Sequence, residues 1–563
     1  MDRFAIAQTL RHIGTLLALQ GAPQFRAQAY AKGAAALESA EDFDRLLRSQ
    51  RLTDLAGIGA GLSAIISELA TTGHSALLSE LEAQLPPGAL ELSQILGLEP
   101  MKKLHQALGV DSIDALEAAC VAGRVREVRG FGEKTETRLL EKIRAHRARG
   151  TELLLADAKA LASELSEHLA RLDPGLEVMV VGAVRRGIEL VDRIELLVVG
   201  ALDPVAALTS FARVARVEAP EATTASEPLF GDALLTLPSA RAWLAEGICI
   251  VLWVVPSDDG LSELVRTGPA EHAVAVISRL PAGSRSFANE AEVYSRARLR
   301  PTPPELRDDP TMLVASDSEL PQLVAATDIQ GLVHCHTTWS DGRNSVAEMA
   351  QAAAARGLRY ITITDHSQAA SYANGLDFDR MQRQWDEIDR VQATTCIRIL
   401  KGVESDILAD GALDYPDAVL ARLDVVIASI HARHAQAAPE MTARVVAMMR
   451  HPIRKIWGHP LGRLLQRRAP IDCDLDLILE TAAATHTIFE LNGDPHRMDL
   501  PVELARRARL LGIRFVASVD AHATSQLGYL DNAITLARRA GLAPEHVLNT
   551  LDPDAFMAAV RPF

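Results

Sequence analysis

LVHCH (residues 332–336) and RFVASVDAH (514–522) open and close a series of seven short apolar runs, and that series decides the fold of the C-terminal part of the chain. Between them lie YITITDH (360–366), IRILKGVE (397–404), VVIASIH (425–431), KIWGHP (455–460) and TIFELNG (487–493). Each run ends on or near a His, Asp or Glu, and an amphipathic helical stretch follows it. Strands alternating with helices in this way predict a parallel sheet closed into a barrel, whose functional groups gather at the C-terminal strand ends.

Side chains alternate along a strand with period two, so His334 and His336 share a side, and Asp520 and His522 repeat the device. With Asp341, His366, Glu404, His431 and His459 they give six imidazoles and three carboxylates for one rim. A single one of these histidines is ordinarily a surface or satisfied buried residue; recurrence at strand ends reverses that reading. The donor set suits zinc, manganese or iron, and the lack of cysteine argues against a purely structural zinc site. Nine ligands exceed the need of one ion, so two or three divalent ions are expected, with Glu404 or Asp520 as a bridge. Such ions acidify a water and clamp the attacking and leaving oxygens of a displacement at phosphorus, which makes phosphate ester hydrolysis the expected chemistry.

Working outward, a chain of 563 residues predicts three to five compact units. Hydrophobic residues at 48% and charged residues at 23% are an ordinary globular balance, so most of the chain is expected to fold. The longest uncharged apolar run, Gly247 to Pro256, falls far short of a bilayer span, and the start MDRFAIAQTLRHIG has no signal-peptide core. A soluble cytoplasmic protein without membrane contact is expected. The five cysteines are scattered and form no CxxC pair, which indicates neither a disulfide framework nor a thiolate metal site.

A formal net charge of −15 argues against a protein that coats nucleic acid, although a local basic face can hide within it. Arg124 to Arg149 holds nine Lys or Arg against four Glu, either a nucleic-acid face or a solvated helix face. Residues 1 to about 150 read as helix after helix, broken by Gly57, Gly59 and Gly61 and by Gly130 and Gly132. From about 175 the runs LEVMVVGA, RIELLVVG and GICIVLWVVP predict a small mixed sheet, and RPTPPELRDDP (300–310) reads as the start of a linker to the barrel.

The stretches HCHTTWSDG, ITITDHS, GVESDI, ASIHARH, GHPLGR, ELNGDPHRMDL and SVDAH resemble the successive motifs of the polymerase and histidinol phosphatase (PHP) domain. The resemblance covers about 325 to 550 and implies a distorted (β/α)7 barrel binding three metals. Every family ligand position has a matching residue type, at the nine residues above. Leu332 departs from it, where related sequences carry Asp. Arg463 in GHPLGR and Arg497 in HRMDL are candidates to grip substrate phosphate, with a rim salt bridge as the equal alternative.

LAGIGAGLSAIISELATTG (55–73) and VRGFGEKTETRLLEKI (128–143) resemble two helix-hairpin-helix elements. In that motif a Gly-x-Gly turn brings backbone N–H groups at a helix start to a DNA phosphate, without sequence preference. Lys134 and Thr135 add phosphate donors to the second. FRAQAY, GFGEKT, GAVRRGIELVDRIELLV, RTGPAEH and PPELR extend a resemblance to bacterial family X DNA polymerases over residues 1 to about 315.

That resemblance implies helical DNA-binding domains at 1–90 and 91–150, a nucleotidyltransferase-like palm at 151–240, a thumb and linker at 241–315 and the PHP domain at 316–563. Polymerase chemistry needs three carboxylates holding two Mg2+ ions. Here Arg193 and Glu195 stand at the paired aspartates and Val251 at the third. The expected function is a repair-type DNA phosphoesterase, a 3′-5′ exonuclease or 3′-end phosphoesterase acting on gapped or 3′-ended DNA, with no templated addition. A phosphatase of small phosphomonoesters and a non-catalytic DNA-binding repair scaffold are the alternatives.

Overall fold

The helical periodicity of the first 150 residues produces helices throughout. In the computed structural model the described residues are 3–20, 22–38, 43–49, 51–55, 57–72, 75–83, 92, 95–149, 152–218, 239–244, 247–255, 260–284 and 287–563. Two compact units result, Met1–Gly150 and Thr151–Phe563. In the first, helices Arg3–Leu19, Gln24–Glu38 and Ala60–Thr72 close over Ile6, Leu10, Ile13, Leu37 and Ile66. A second apolar cluster, around Met101, Leu104, Leu116 and Ile143, gathers helices Leu98–Leu108, Ile113–Val121 and Glu133–Arg149. Ser112 caps the second of these by accepting from the Ala115 N–H at 3.1 Å. The expected boundary at 90/91 and the last residue of the first turn motif, Gly73, lie outside the described residues.

The second unit opens with a five-stranded sheet: β1 (Glu177–Val181), β2 (Arg193–Val199), β3 (Val214–Glu218), β4 (Ser239–Leu244) and β5 (Cys249–Val255). Their order is β1-β2-β5-β4-β3, and only the β2–β5 pair is parallel. Helix Leu155–Leu172 lays Leu155, Ala158, Leu161, Ala162, Leu165 and Leu169 on it, the spacing of one helical face. Met498, Val502 and Leu536 of the barrel join the same cluster, so the sheet and the barrel share a core. Residues 151–563 accordingly form one compact unit.

The segment expected to be a linker is a packed strap instead. Thr302, Leu306 and Arg307 are buried, and Leu299 bridges Ala315. Glu305 meets Arg538 at 2.7 Å, while Asp308 lies 3.5 Å from Arg186 and 3.7 Å from Arg539. Proline and charge mark irregular backbone in a sequence; they do not tell a solvated tether from a strap fixed by ion pairs.

All seven C-terminal runs carry strands: β6 (Gly331–Leu332), β7 (Tyr360–Ile363), β8 (Arg398–Asp406), β9 (Val425–Ser429), β10 (Ile456–Trp457), β11 (Ile488–Asn492) and β12 (Phe515–Ser518). They pair in chain order, parallel throughout. A parallel bridge between Cys335 and Ala521 closes the ring, with the His336 N–H on the Ala521 carbonyl at 2.8 Å.

Alternation divides the strand residues into two apolar clusters. Leu400, Val425, Ile427, Ile456, Ile488 and Val516 fill the interior, over a floor of Leu548, Phe556 and Val560. Val403, Val426, Ala428, Trp457, Phe489 and Phe515 face the surrounding helices. Both faces are covered, as a parallel sheet requires.

Candidate metal centre and nucleic-acid turns

The interior phase of the strands carries the ligands. On β7 it runs Tyr360, Thr362, Thr364, His366; on β9, Val425, Ile427, Ser429, His431; on β12, Val516, Ser518, Asp520, His522. After β6 the phase slips once. Val333 belongs to the interior cluster and Cys335 to the outer one, and between them His334 takes φ 73°. His459 and Asp520 share this left-handed region, at φ 26° and 52°. Non-glycine residues rarely adopt it, and the strain is a mark of sites where side-chain direction outranks backbone comfort.

The rim donors fall into three overlapping groups, each with ligand atoms within 4.8 Å of one another: His336, Asp341, His366 and His522; His334, His336, Glu404 and Asp520; His366, Glu404 and His431. His459 joins the last through Nε2, 2.9 Å from Glu404 Oε1. All nine sequence-derived positions are therefore together. Glu404 is the hub, with His366 at 2.9 Å, His431 at 3.1 Å, His334 at 3.4 Å and His336 at 3.5 Å. Asp520 lies 3.0 Å from His336 and 3.4 Å from His334, and Asp341 lies 3.4 Å from His522.

The electrostatics are those of a cation site. Burial by itself raises the Glu404 carboxyl, but the fields of His431, His334 and His366 override it and hold it well below the usual range. Asp520 is held low in the same way by His334, His336 and His522. Burial lowers His431, yet Glu404 and Asp406 lift it to about 10; burial together with the neighbouring His522 and His366 pushes His336 down to about 3.

The decisive sign of fit is unsatisfied polarity. His334 Nε2, both His336 ring nitrogens, His366 Nδ1, Glu404 Oε2, His459 Nδ1 and Asp520 Oδ1 are buried without a hydrogen bond. Orphaned donors of this kind in one place call for ions.

Three supporting carboxylates were not singled out in the sequence. Glu490, fully buried, accepts from His334 Nδ1 at 2.6 Å, from Ser518 Oγ at 2.7 Å and from the His459 backbone N–H. It turns His334 Nε2 toward the cluster. Asp406 accepts from His431 Nδ1 at 3.2 Å. Asp365 accepts from the Thr337 hydroxyl at 2.7 Å and from Ser340 and Gln384, fixing the loop that presents Asp341. Glu490 was legible: it stands two residues beyond Ile488 on the interior phase of TIFELNG.

Of the two arginines, Arg497 reaches the centre, its Nε 3.4 Å from Asp520 Oδ2. Arg463 is engaged elsewhere, donating to the Arg497 carbonyl and to Glu189 Oε1, each at 3.0 Å, and to the Met498 carbonyl. It fastens the barrel to the palm-like sheet, the salt-bridge alternative of the sequence reading.

In that sheet, Glu195 and Val251 are register partners on β2 and β5, so the three expected polymerase positions do assemble. The Arg193 guanidinium lies 3.3 Å from Glu195 Oε1. Gly182, the first residue of GAVRRGIELVDRIELLV, is so close that an added Cβ would sit 2.1 Å from Glu195 Oε2. Arg185 and Arg186 are committed to Thr267, Glu263 and Asp308.

The two glycine turns share one local design. In each a 3-10 turn (Leu52–Asp54, Val125–Glu127) leads into the glycines and then a helix. Gly57 and Gly130 take φ 96° and 99°, a conformation that only glycine adopts easily. Gly59, Gly61 and Gly132 have no such need: a Cβ at any of them would meet nothing within 4 Å. Internal packing therefore does not demand these glycines, while close approach by an outside backbone or phosphate would. Lys134 and Thr135 are exposed beside the second turn, whose shape is held by Arg126 on the buried Glu136 at 2.5 Å.

A closed parallel barrel whose C-terminal rim carries clustered imidazoles and carboxylates defines a metal-dependent phosphoesterase of the PHP class. Family models agree, matching a PHP domain at 333–490 and a helix-hairpin-helix domain at 1–75. Among curated proteins, the DNA polymerase/3′-5′ exonuclease PolX of Bacillus subtilis (strain 168) is 31% identical over 593 aligned positions, covering 99% of each chain. The chain belongs to this family, the bacterial family X DNA polymerases with a PHP domain.

Shorter relatives match the barrel alone. A probable phosphatase of Thermoanaerobacter sp. (strain X514) is 28% identical over 232 residues, 38% of this chain and 89% of that protein. The solved histidinol phosphate phosphatase of Lactococcus lactis covers 38% of this chain and 94% of its own at 18% identity, with a TM-score of 0.29 that carries no weight. No helix among the described residues is long and apolar enough to cross a membrane.

Proposed function

We propose that the barrel rim hydrolyses phosphodiester bonds at DNA ends, working 3′ to 5′ or removing 3′-terminal blocks, and that the palm adds no nucleotides. The observation that carries this is the set of three ligand groups sharing His336, His366 and Glu404, with buried donor atoms unsatisfied. Three divalent ions, one per group, suit the donors, and manganese, zinc or iron suits their chemistry. When bound, such ions supply an acidified water and charge stabilisation at phosphorus.

The chain's own residues do the rest. Glu490 and Asp406 fix the tautomer and direction of His334 and His431. Arg497 offers a guanidinium beside Asp520 for a phosphate oxygen. The Gly59 and Gly132 turns hold backbone phosphates of gapped or 3′-ended DNA without reading its sequence. In the palm, Arg193 occupies the charge position that Mg2+ needs, and Glu195 alone does not replace three aspartates.

The test is 5′-labelled DNA with Mn2+, comparing the protein with its His334→Ala/His336→Ala variant. Progressive shortening by the first and none by the second is expected; equal shortening by both refutes the assignment. Gel shifts against increasing salt separate DNA from a small phosphomonoester as the substrate, because a phosphate-held complex weakens as counterions accumulate.

A further inference from the structure

Tyr372 is out of keeping with its surroundings. Its side chain is 70% exposed, and among the described residues only the terminal Phe563 is another aromatic so open to solvent. Looseness is not the reason. Tyr372 lies on a short turn, Ser371–Ala373, anchored by buried Ala370 and Ala373 on either side. The Ala369 N–H donates to Asp414 at 2.7 Å, and the Leu376 N–H donates to the His366 carbonyl at 2.8 Å. At Gly375 an added Cβ would strike the Ser367 carbonyl at 1.9 Å, so the loop has one tight course.

That course holds the phenol ring over the metal centre. Its centroid is 6.0 Å from His366 and 6.2 Å from His431, T-shaped to both. Asp341, Glu404 and Asp520, one or more from each ligand group, all lie within electrostatic range of it.

A rigid, solvent-facing aromatic beside a phosphate-binding centre suits one kind of group above others. A nucleotide whose phosphate meets the ligands extends its base outward past the rim. Every base has a π-face, so stacking on an aromatic side chain holds it without regard to sequence. An aliphatic phosphomonoester has nothing to offer the ring.

We propose that Tyr372 is the platform on which the base of the 3′-terminal nucleotide stacks, making the centre selective for DNA ends that carry a base. The proposal rests on the nuclease reading above and names its substrate class: a frayed or single-stranded 3′ end, presented base outward.

The experiment uses the full chain with two 5′-labelled oligonucleotides, one ending in an ordinary nucleotide and one in a tetrahydrofuran abasic residue. The readout is the ratio of kcat/KM for the two ends. Tyr372→Ala is expected to reduce that ratio about tenfold, the scale of one base–aromatic stack, and Tyr372→Phe and Tyr372→Trp to restore it. An unchanged ratio in Tyr372→Ala overturns the proposal.

A second measurement needs no turnover: quenching of a 3′-terminal 2-aminopurine on binding in EDTA, expected for the native chain and Tyr372→Phe and lost in Tyr372→Ala. A native chain that shortens neither DNA refutes the nuclease reading by itself. The quench then decides the stacking alone, which stands if the quench depends on Tyr372 and falls if it does not.

Discussion

The barrel rim and the palm-like sheet each bury a carboxylate at the end of a strand, and they balance its charge in opposite ways. On the rim, Glu404 is ringed by imidazoles, and its Oε2 keeps no hydrogen bond. In the palm, Glu195 is met by Arg193 of its own strand at 3.3 Å, with the Gly182 backbone closed against it. The first arrangement needs a partner from outside the chain; the second has been completed from within. Family resemblance would lead one to expect an active centre in both regions; the rim leaves buried ligand atoms unsatisfied, while the palm-like sheet pairs its carboxylate with Arg193.

Removing the hub is the hardest test of that contrast. Glu404→Gln takes the shared carboxylate charge from two of the three ligand groups. We expect hydrolysis to fall roughly a thousandfold or more, several kcal/mol of lost transition-state stabilisation, with metal content falling in parallel. End-labelled DNA assays beside elemental analysis check both. Retained activity without metal would break the comparison at its stronger end.

A smaller loss is expected one layer out. Glu490→Gln keeps the shape but weakens the acceptor that orients His334, and metal affinity should drop by about 10- to 100-fold. Metal titration followed by activity separates this from misfolding, since excess metal should restore much of the rate.

How much of this contrast could be seen in the sequence differs between the regions for physical reasons. The candidate ligands were legible because strand periodicity and residue chemistry coincide: His366, His431 and His522 each close a period-two series. The phase slip at His334 was not, since a left-handed backbone at a histidine leaves no compositional trace. In the palm, the loss of carboxylates was legible at Arg193 and Val251, but not the ion pair that replaces them. That pair is local, two residues apart on β2, but composition does not tell whether the guanidinium turns back on its neighbour or stays in solvent. The choice between the two readings of Arg463 stayed open, and the 300–310 strap read as a linker, because their partners Glu189, Arg538 and Arg539 are far away in the chain.

In the palm the same reasoning predicts a stability effect with a defined pH sign. Burial raises the Glu195 carboxyl above its ordinary value even though Arg193 pulls it down. A raised acid binds more protons folded than unfolded, so its contribution to stability falls as pH rises from the ordinary carboxylate value through the raised one. Arg193→Ala removes the counter-charge and deepens that loss. With Arg193 half-exposed, we expect about 1 kcal/mol at neutral pH, recovered as pH falls through the raised Glu195 value. Hydrogen exchange across β2 and β5 reads it locally, and DNA shortening by the rim should stay unchanged. A gain of primer extension in any single palm variant would reverse the reading of this region.

The smallest effect carries the contrast into the helical unit, where openness rather than charge is the criterion. Gly182 is sealed by Glu195, whereas Gly59 and Gly132 face open space and are not tied to glycine by packing. Alanine at either should therefore leave stability level or raise it by a few tenths of a kcal/mol through the unfolded chain, provided the backbone angle is tolerated. If a DNA phosphate docks there, the added methyl blocks the backbone N–H. We expect Gly59→Ala and Gly132→Ala each to weaken DNA binding about threefold, on the order of one weak hydrogen bond, and to lower the salt dependence of the complex. Unchanged affinity together with unchanged stability would show these turns to be ordinary hairpins, and DNA would then have to reach the rim by another surface.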